Sequence, residues 1–548
     1  MKSKATHVAP SFMKCFFAAL LVLSGFFFFE AAKRPLASPD EGRYSEIPRE
    51  MVVSGDYLTP RLNTVKYFEK PPLFYWMQAA TIKALGTTDF AARFMNVLMT
   101  ILGCLITLWA GWFLFSPRTG VLSCAVLASS LLYYGISRIV ILDMAVSVFI
   151  TGALFSMIYA LTKGSQRALY AAYIFCALGT MTKGVIGFGI PGAVILSWIL
   201  LSRQWPLMGR ALTIKGILLF LAIVAPWHIW VSVVNPEFAW FYFINEHILR
   251  LTTQVHQRYQ PLWFFIPIFI GGLFPWIAFF IQATRETLRE KLPSVPMALL
   301  IWVVFIIALF SLSQSKLIPY ILPCMPPAAL LIGRLFDKVW DQRISPLNGV
   351  FTWNLALAVL FALAAYLAPL PEHASGLVAS HTRLLIALAI AATGIIPFVL
   401  RASPSRAFLS LVVTAAITFL SLNHISDVIQ RPSTRDLAAH LKQHVAADTP
   451  VICFEFYPQE LPYYLERPIM ISGWEGELAF GLSVEDKTPL IFSHDKTKAL
   501  WDHSDQVFIF VRDDTIDFLK RILNTPFHIL GKHHTLNLIS KRPVAFTK

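Results

Sequence analysis

Apolar runs of about twenty residues recur from residue 12 to residue 423, separated by short polar breaks. An α-helix needs about 20 predominantly apolar residues to cross ~30 Å of hydrocarbon. Runs of that kind lie at residues 12–31, 90–115, 119–136, 141–161, 168–182, 185–202, 212–234, 261–282, 296–314, 317–335, 349–368, 382–400 and 406–423. They predict a mainly α, polytopic membrane protein with about thirteen transmembrane helices. Only Thr182-Lys183-Gly184 separates the pair 168–182 and 185–202. Lys2, Lys4 and Lys14 flank the first run as in a signal peptide, but the run exceeds a typical signal core and is read as a retained first helix.

After about residue 430 the pattern changes. Residues 435–441 have helical spacing, while 450–454 and 507–511 read as short buried strands. Two domains are therefore expected: 1–430, a transmembrane catalytic domain with a first outer loop at about 32–88, and 431–548, a small soluble α/β domain. The latter shows no glycine-rich phosphate loop, which favours a lid or scaffold over a catalyst.

Composition narrows the class. The chain is 56% hydrophobic and 14% charged, whereas soluble domains carry about 25% charged residues, so a soluble enzyme is excluded. The net charge of +14 would suit nucleic acid, but the cations occupy alternate loops. Arg118; Lys163 and Arg167; Arg203, Arg210 and Lys215; Arg285, Arg289 and Lys291; Arg334, Lys338 and Arg343; and Arg401 and Arg406 share one side. The opposite short loops hold little more than Arg138, Lys183 and Lys316. Positive-inside asymmetry then puts the N-terminus in the cytoplasm and the first loop, the 235–260 loop and the C-terminal domain on the far side, with no nucleic-acid partner. Six cysteines without a CxxC pair give no redox motif.

The chemistry-bearing residues all fall on that far side. Asp40, Glu41 and Arg43 follow the first span; Glu69-Lys70-Pro71-Pro72 lies later in the same loop. Arg138 and Asp143 bracket the entry of the fourth span, Lys183 sits in Thr-Lys-Gly, Glu246-His247 and Arg250 lie after the seventh, and Lys316 and Tyr320 open the tenth. Charges beside or within spans are costly without a task. One outward cavity lined by both signs of charge suits transfer from a lipid phosphate. Lys70, Arg250 and the Tyr320 hydroxyl can hold a leaving phosphate, and carboxylates can stabilise an oxocarbenium-like state. Asp40 can serve as general base toward a hydroxyl acceptor. A phosphate acceptor needs no base, but repulsion between two phosphates makes a divalent metal, zinc or magnesium, attractive; Glu69 and His247 are an O/N pair of suitable type.

Six segments occur in the order found in one known family: Asp40-Glu41-Gly42-Arg43-Tyr44, Tyr67-Phe68-Glu69-Lys70-Pro71, Leu142-Asp143, Thr182-Lys183-Gly184, Glu246-His247-Ile248-Leu249-Arg250 and Lys316-Leu317-Ile318-Pro319-Tyr320. Over residues 35 to 335 the chain resembles the aminoarabinose transferases of Gram-negative bacteria, lipid-carrier-dependent glycosyltransferases of the GT-C fold related to protein O-mannosyltransferases. The resemblance implies transfer of 4-amino-4-deoxy-L-arabinose from undecaprenyl phosphate to a lipid A phosphate at the periplasmic face of the inner membrane. That change lowers surface negative charge and the binding of polymyxin and other cationic peptides. It implies catalytic roles for Asp40, Glu41 and Asp143, donor-phosphate binding by Lys70, Arg250, Tyr320, Arg43 and Tyr44, and metal binding by Glu69 and His247. His256 and Arg258 are alternatives to His247 and Arg250 in the same loop. Gly42 stands where Thr or Ala is common in that family, and the final domain shows no match to it. A monomer surrounded by membrane lipids is expected. A protein or another envelope glycan as acceptor, or a lipid-sugar transporter or flippase, are the competing readings.

Overall fold

The computed structural model describes residues 2–249, 260–290, 292–344, 347–368, 377–429, 433–443, 445–446, 448–487 and 489–544. The chain is mainly helical and divides into two compact units. The first comprises Met1–Glu30, Asn96–Trp230 and Phe243–Ile429; the second comprises Ala31–Met95, Val231–Tyr242 and Gln430–Lys548.

The apolar runs of the sequence are helices. Among the described residues nine are long and apolar enough to cross a membrane, and eleven spans result if each of two bent pairs is one crossing. The segments expected at 168–182 and 185–202 are the helices Gln166–Lys183 and Ile186–Ser202, which are not in that set. Pro117–Ala128 and Leu131–Ser137 meet at 63°, and Leu262–Gly272 and Ile277–Leu288 at 108°. The second break contains Pro275, which has no N–H to continue the helical ladder.

Leu142–Lys163 runs through the centre of the first unit; 89% of its most apolar window is buried, against 11% for Ile214–Val234, whose Ile229, Trp230 and Val233 face outward as lipid-facing groups do. Its C-terminus closes on Gly164 at φ 72°, a left-handed cap that costs glycine little, and the Ser165 side chain accepts from the Ala168 amide to start the next helix. Gln166–Lys183 and Ile186–Ser202 then pack backbone to backbone: a Cβ at Gly187 would lie 2.1 Å from the Thr180 nitrogen.

The second unit holds the segment after the first apolar helix, which is not irregular. Asp40–Ser54 is a helix with both acids in its first turn, where the helix dipole favours them. The two-stranded antiparallel pair Arg61–Leu62 (β1) and Val65–Lys66 (β2) follows, then the helix Leu73–Leu85. The C-terminal segment forms a six-stranded sheet from Val451–Phe454 (β3), Met470–Ser472 (β4), Ile491–Phe492 (β5), Phe508–Arg512 (β6), His528–His533 (β7) and Leu536–Ser540 (β8), in the order β5-β4-β3-β6-β8-β7. The first four are parallel, and β8 and β7 add on antiparallel. The two strands expected from sequence are the central β3 and β6, buried on both faces as parallel strands are. Ile452, Phe454, Ile509, Val511, Trp501 and Leu519 form their core.

Candidate active site

Helical spacing organises the first group of charges, in the second unit. Asp40 and Arg43 are three residues apart on one helix face, and the Arg43 guanidinium donates to Asp40. It also donates to Glu477 and, at 2.9 Å, to the Tyr67 hydroxyl, and it lies over the Tyr44 ring at 5.2 Å. Tyr44 stacks on Tyr75. Burial opposes the charge on Arg43, but Tyr67, Tyr44, Glu477 and Glu69 outweigh it and hold its pKa above the ordinary arginine value. Asp40 keeps half of its side-chain surface in solvent, whereas Arg43 is buried. Asp40 is thus the most exposed carboxylate of the group, backed by a fixed cation.

Glu69 and Lys70 enter the same group through their anchor. Phe68, 1% exposed, packs edge-on against Phe238 at 5.3 Å, and Pro71-Pro72 stiffens the exit into Leu73–Leu85. The Lys70 ammonium donates to the Glu69 carbonyl at 2.8 Å and stands 3.7 Å from its carboxylate. Lys70 therefore sits just ahead of a helix N-terminus, where an anion is favoured by both the ammonium and the helix dipole.

Glu41 has a different environment from its neighbour Asp40. It is 1% exposed, 2.7 Å from Arg34 and 3.1 Å from Arg93, and it accepts from the Ala37 amide. Burial alone would raise its pKa; Arg93 and Arg34 outweigh burial and hold it below the ordinary glutamate value. Farther along the helix, Glu46 pairs with Arg49 at 2.6 Å, and Glu50 accepts from the Thr64 amide at 2.9 Å. Burial first, then the adjacent Glu46, pushes Glu50 up to about 8. Gly42 is pressed against the C-terminal segment: a Cβ there would lie 2.3 Å from the Glu460 nitrogen and 2.5 Å from the Gln459 carbonyl carbon.

The second group lies in the first unit. Asp143, in the first turn of Leu142–Lys163, pairs with Lys183 at 2.5 Å; Lys183 ends its own helix and its ammonium stands 5.0 Å from the centre of the Tyr320 ring. Tyr320 sits on the 3-10 turn Ile318–Cys324, against Phe310. Arg138 turns from Asp143 to the Tyr134 hydroxyl and the Phe29 carbonyl. Lys316 donates to the carbonyls of Ser313 and Gln260.

The expected residues thus form two groups, one per unit. Asp40, Arg43, Tyr44, Glu69 and Lys70 belong to one, and Asp143 and Tyr320 to the other. The His247 side chain and all of Arg250, His256 and Arg258 lie outside the described residues. Among the described residues no three His, Cys, Asp or Glu side chains gather as a metal site. Glu477, Tyr67, Arg34 and Arg93 were not anticipated. Arg93 carries a signal: it lies one turn inside an apolar span, as Asp143 does. Glu477 carries none, being an ordinary glutamate 434 positions from its partner.

The chain is similar to known proteins over most of its length. The family model described as dolichyl-phosphate-mannose-protein mannosyltransferase matches residues 69–230, and that of the aminoarabinose transferase C-terminal domain matches residues 437–541. The second match corrects the expectation that the final domain is unlike the family. The undecaprenyl phosphate-α-4-amino-4-deoxy-L-arabinose arabinosyl transferase of Pectobacterium carotovorum is 36% identical over 60% of this chain and 61% of its own length, under two thirds of that relative. That of Aeromonas salmonicida is 32% identical over 67% of this chain and 68% of its own length. A crystal structure of ArnT from Cupriavidus metallidurans bound to undecaprenyl phosphate superimposes with a TM-score of 0.85 at 26% identity, over 97% of this chain and 98% of that one. With the Aeromonas salmonicida relative covered over more than two thirds of its length and the fold shared over 97% of the chain, the chain belongs to the family of undecaprenyl phosphate-aminoarabinose arabinosyl transferases.

Proposed function

We propose that this multi-pass membrane protein transfers 4-amino-4-deoxy-L-arabinose from undecaprenyl phosphate to a phosphate of lipid A. The observation that carries the reading is the near full-length likeness to a transferase solved with undecaprenyl phosphate, together with the residue types of the two charged groups. An oxygen of the acceptor phosphate attacks the anomeric carbon of the sugar. The bond from that carbon to the donor phosphate oxygen breaks, and undecaprenyl phosphate leaves with the electron pair. The acceptor is already anionic, so no proton need be removed; the site must instead offset charge on two phosphates. Lys70, ahead of its helix N-terminus, is the cation this scheme assigns to the departing phosphate, and Tyr320 and Arg250 are donors of the type that binds one. Asp40, the accessible carboxylate, faces the positive charge that develops on the ring or the sugar's amine. Arg43 and Tyr44 orient Asp40, and Asp143 fixes Lys183. Glu41, with Arg34 and Arg93 on its carboxylate, acts by holding the Asp40 helix in place. The N-terminus is cytoplasmic and the C-terminal domain periplasmic in this reading, supported by the one-sided cations, and the protein acts as a monomer.

Mass spectrometry of lipid A from cells with and without the protein tests the proposal. A phosphate-linked pentosamine should appear only with the protein; unchanged lipid A in the presence of donor would overturn it. The mannosyltransferase match over residues 69–230 favours one second reading, a protein hydroxyl as acceptor with Asp40 as general base. Sugar on envelope proteins and none on lipid A would select it.

A further inference from the structure

The helices Leu142–Lys163, Gln166–Lys183, Ile186–Ser202, Pro206–Ala211 and Ile214–Val234 enclose a cavity of about 260 Å³ in the first unit. Its wall is almost wholly apolar, including Met157, Cys176, Phe188, Ile195 and Leu212. Tyr173 pins the short helix over it: its hydroxyl donates to the Ala211 carbonyl at 2.8 Å and accepts from the Thr213 amide. Gly216 leaves room for that ring, since a Cβ there would lie 2.2 Å from it.

The rim is as one-sided as the wall. Lys163, Arg167, Arg203, Arg210 and Lys215 stand at the same end of these helices and are exposed. No Asp or Glu occurs between Asp143 and Glu237, and among the described residues none of the five cations meets a carboxylate. Cations elsewhere do: Arg118 meets Asp337 and Asp341, Arg289 meets Glu286, and Arg334 and Lys338 share Glu290. The Arg210 guanidinium reaches to 3.9 Å from where a Cβ on Gly164, the residue after Lys163, would sit. An apolar cavity below uncompensated cations matches a molecule with a hydrocarbon tail and an anionic head; basic pockets between helices near a membrane surface hold anionic lipids on the same grounds.

We propose that this end of the first unit binds an anionic glycerophospholipid, with one acyl chain in the cavity and the phosphate among Lys163, Arg210 and Lys215. The site belongs to the end of the bundle opposite Lys183 and is separate from the donor and acceptor chemistry above.

Native mass spectrometry of the purified full chain tests this with dioleoyl phosphatidylglycerol, dioleoyl phosphatidylcholine and glycerol 3-phosphate as probes. The wild type should retain phosphatidylglycerol roughly tenfold or more over phosphatidylcholine, and glycerol 3-phosphate should not compete. The combined variant Lys163→Gln, Arg210→Gln, Lys215→Gln should lose the preference. Gly192→Leu, at a wall position where a Cβ would meet nothing within 4 Å, should lower retention of both lipids. Equal retention of the two lipids by the wild type, full competition by glycerol 3-phosphate, or folded variants that bind phosphatidylglycerol as the wild type does would each overturn the proposal. The wild-type comparison stands even where a variant fails to fold.

Discussion

Gly42→Ala is a substitution for which two effects of opposite sign can be weighed. Gly42 lies within the helix Asp40–Ser54, where Ala is favoured over Gly by about 0.5–1 kcal/mol. Against this, the new methyl would lie 2.3, 2.5 and 2.8 Å from Glu460 N, Gln459 C and Glu460 Cα. All three are backbone atoms, so no side chain can swing aside. Overpacking of that kind costs about 1–3 kcal/mol, and backbone has least freedom to yield, so steric cost should exceed the propensity gain. The expected result is a net loss of about 1–2 kcal/mol, with faster proteolysis of the C-terminal segment. Transfer activity should also fall, because the same helix carries Asp40 and Arg43. Gly135→Ala is the matched control: it too lies in a helix, and its Cβ would meet nothing within 4 Å. Thermal denaturation and limited proteolysis of both variants in one detergent form the assay. A Gly42→Ala protein as stable and protease-resistant as Gly135→Ala would refute the reasoning.

Further substitutions probe other parts of the account. Glu50 stays protonated in the folded chain up to about pH 8, while its unfolded carboxyl ionises near its ordinary value. Between those pH values the unfolded chain binds fewer protons, so stability falls as pH rises and levels off above about pH 8. Glu50→Gln, which keeps an acceptor for the Thr64 amide, should lessen that slope and raise stability at pH 8; melting curves from pH 5 to 9 with an unchanged slope would contradict this. Arg93→Ala leaves Glu41 buried with one cation fewer and should cost about 3–5 kcal/mol, read as a drop in melting temperature; a loss within 0.5 kcal/mol or so would show that Arg34 alone suffices. In a double-mutant cycle of Asp143→Asn and Lys183→Met, the double variant should be more stable than the sum of the single losses, and additive losses would deny the pair. Lys70→Ala should lower transfer about 100-fold or more with an unchanged melting temperature, and wild-type turnover would remove its phosphate role.

The apolar spans were legible because about twenty apolar residues between polar breaks admit few structures in water or lipid. The bends were not: apolar content says how long a segment is, and the 108° turn at residues 273–276 arises within an unbroken apolar run. The short strands β3 and β6 were visible as compact β-branched and aromatic runs, whereas β4 and β5, at three and two residues, are too short for a period to register. Asp40 and Glu41 are indistinguishable as adjacent letters. Their tasks separate only because successive helical positions point about 100° apart, one toward Arg43 and solvent, the other toward Arg34 and Arg93. Gly42 looked like a departure from the family pattern; its neighbours Gln459 and Glu460 supply the reason, and they lie more than four hundred positions away.

The account rests on Lys70 gripping the donor phosphate. The most direct measurement is a cryo-electron microscopy structure of the full chain in nanodiscs with undecaprenyl phosphate. The account predicts the phosphate within about 3 Å of the Lys70 ammonium, with the Asp40 carboxylate facing the position of the sugar. A phosphate bound beyond hydrogen-bond reach of Lys70, or Asp40 turned away from the sugar's position, would contradict it.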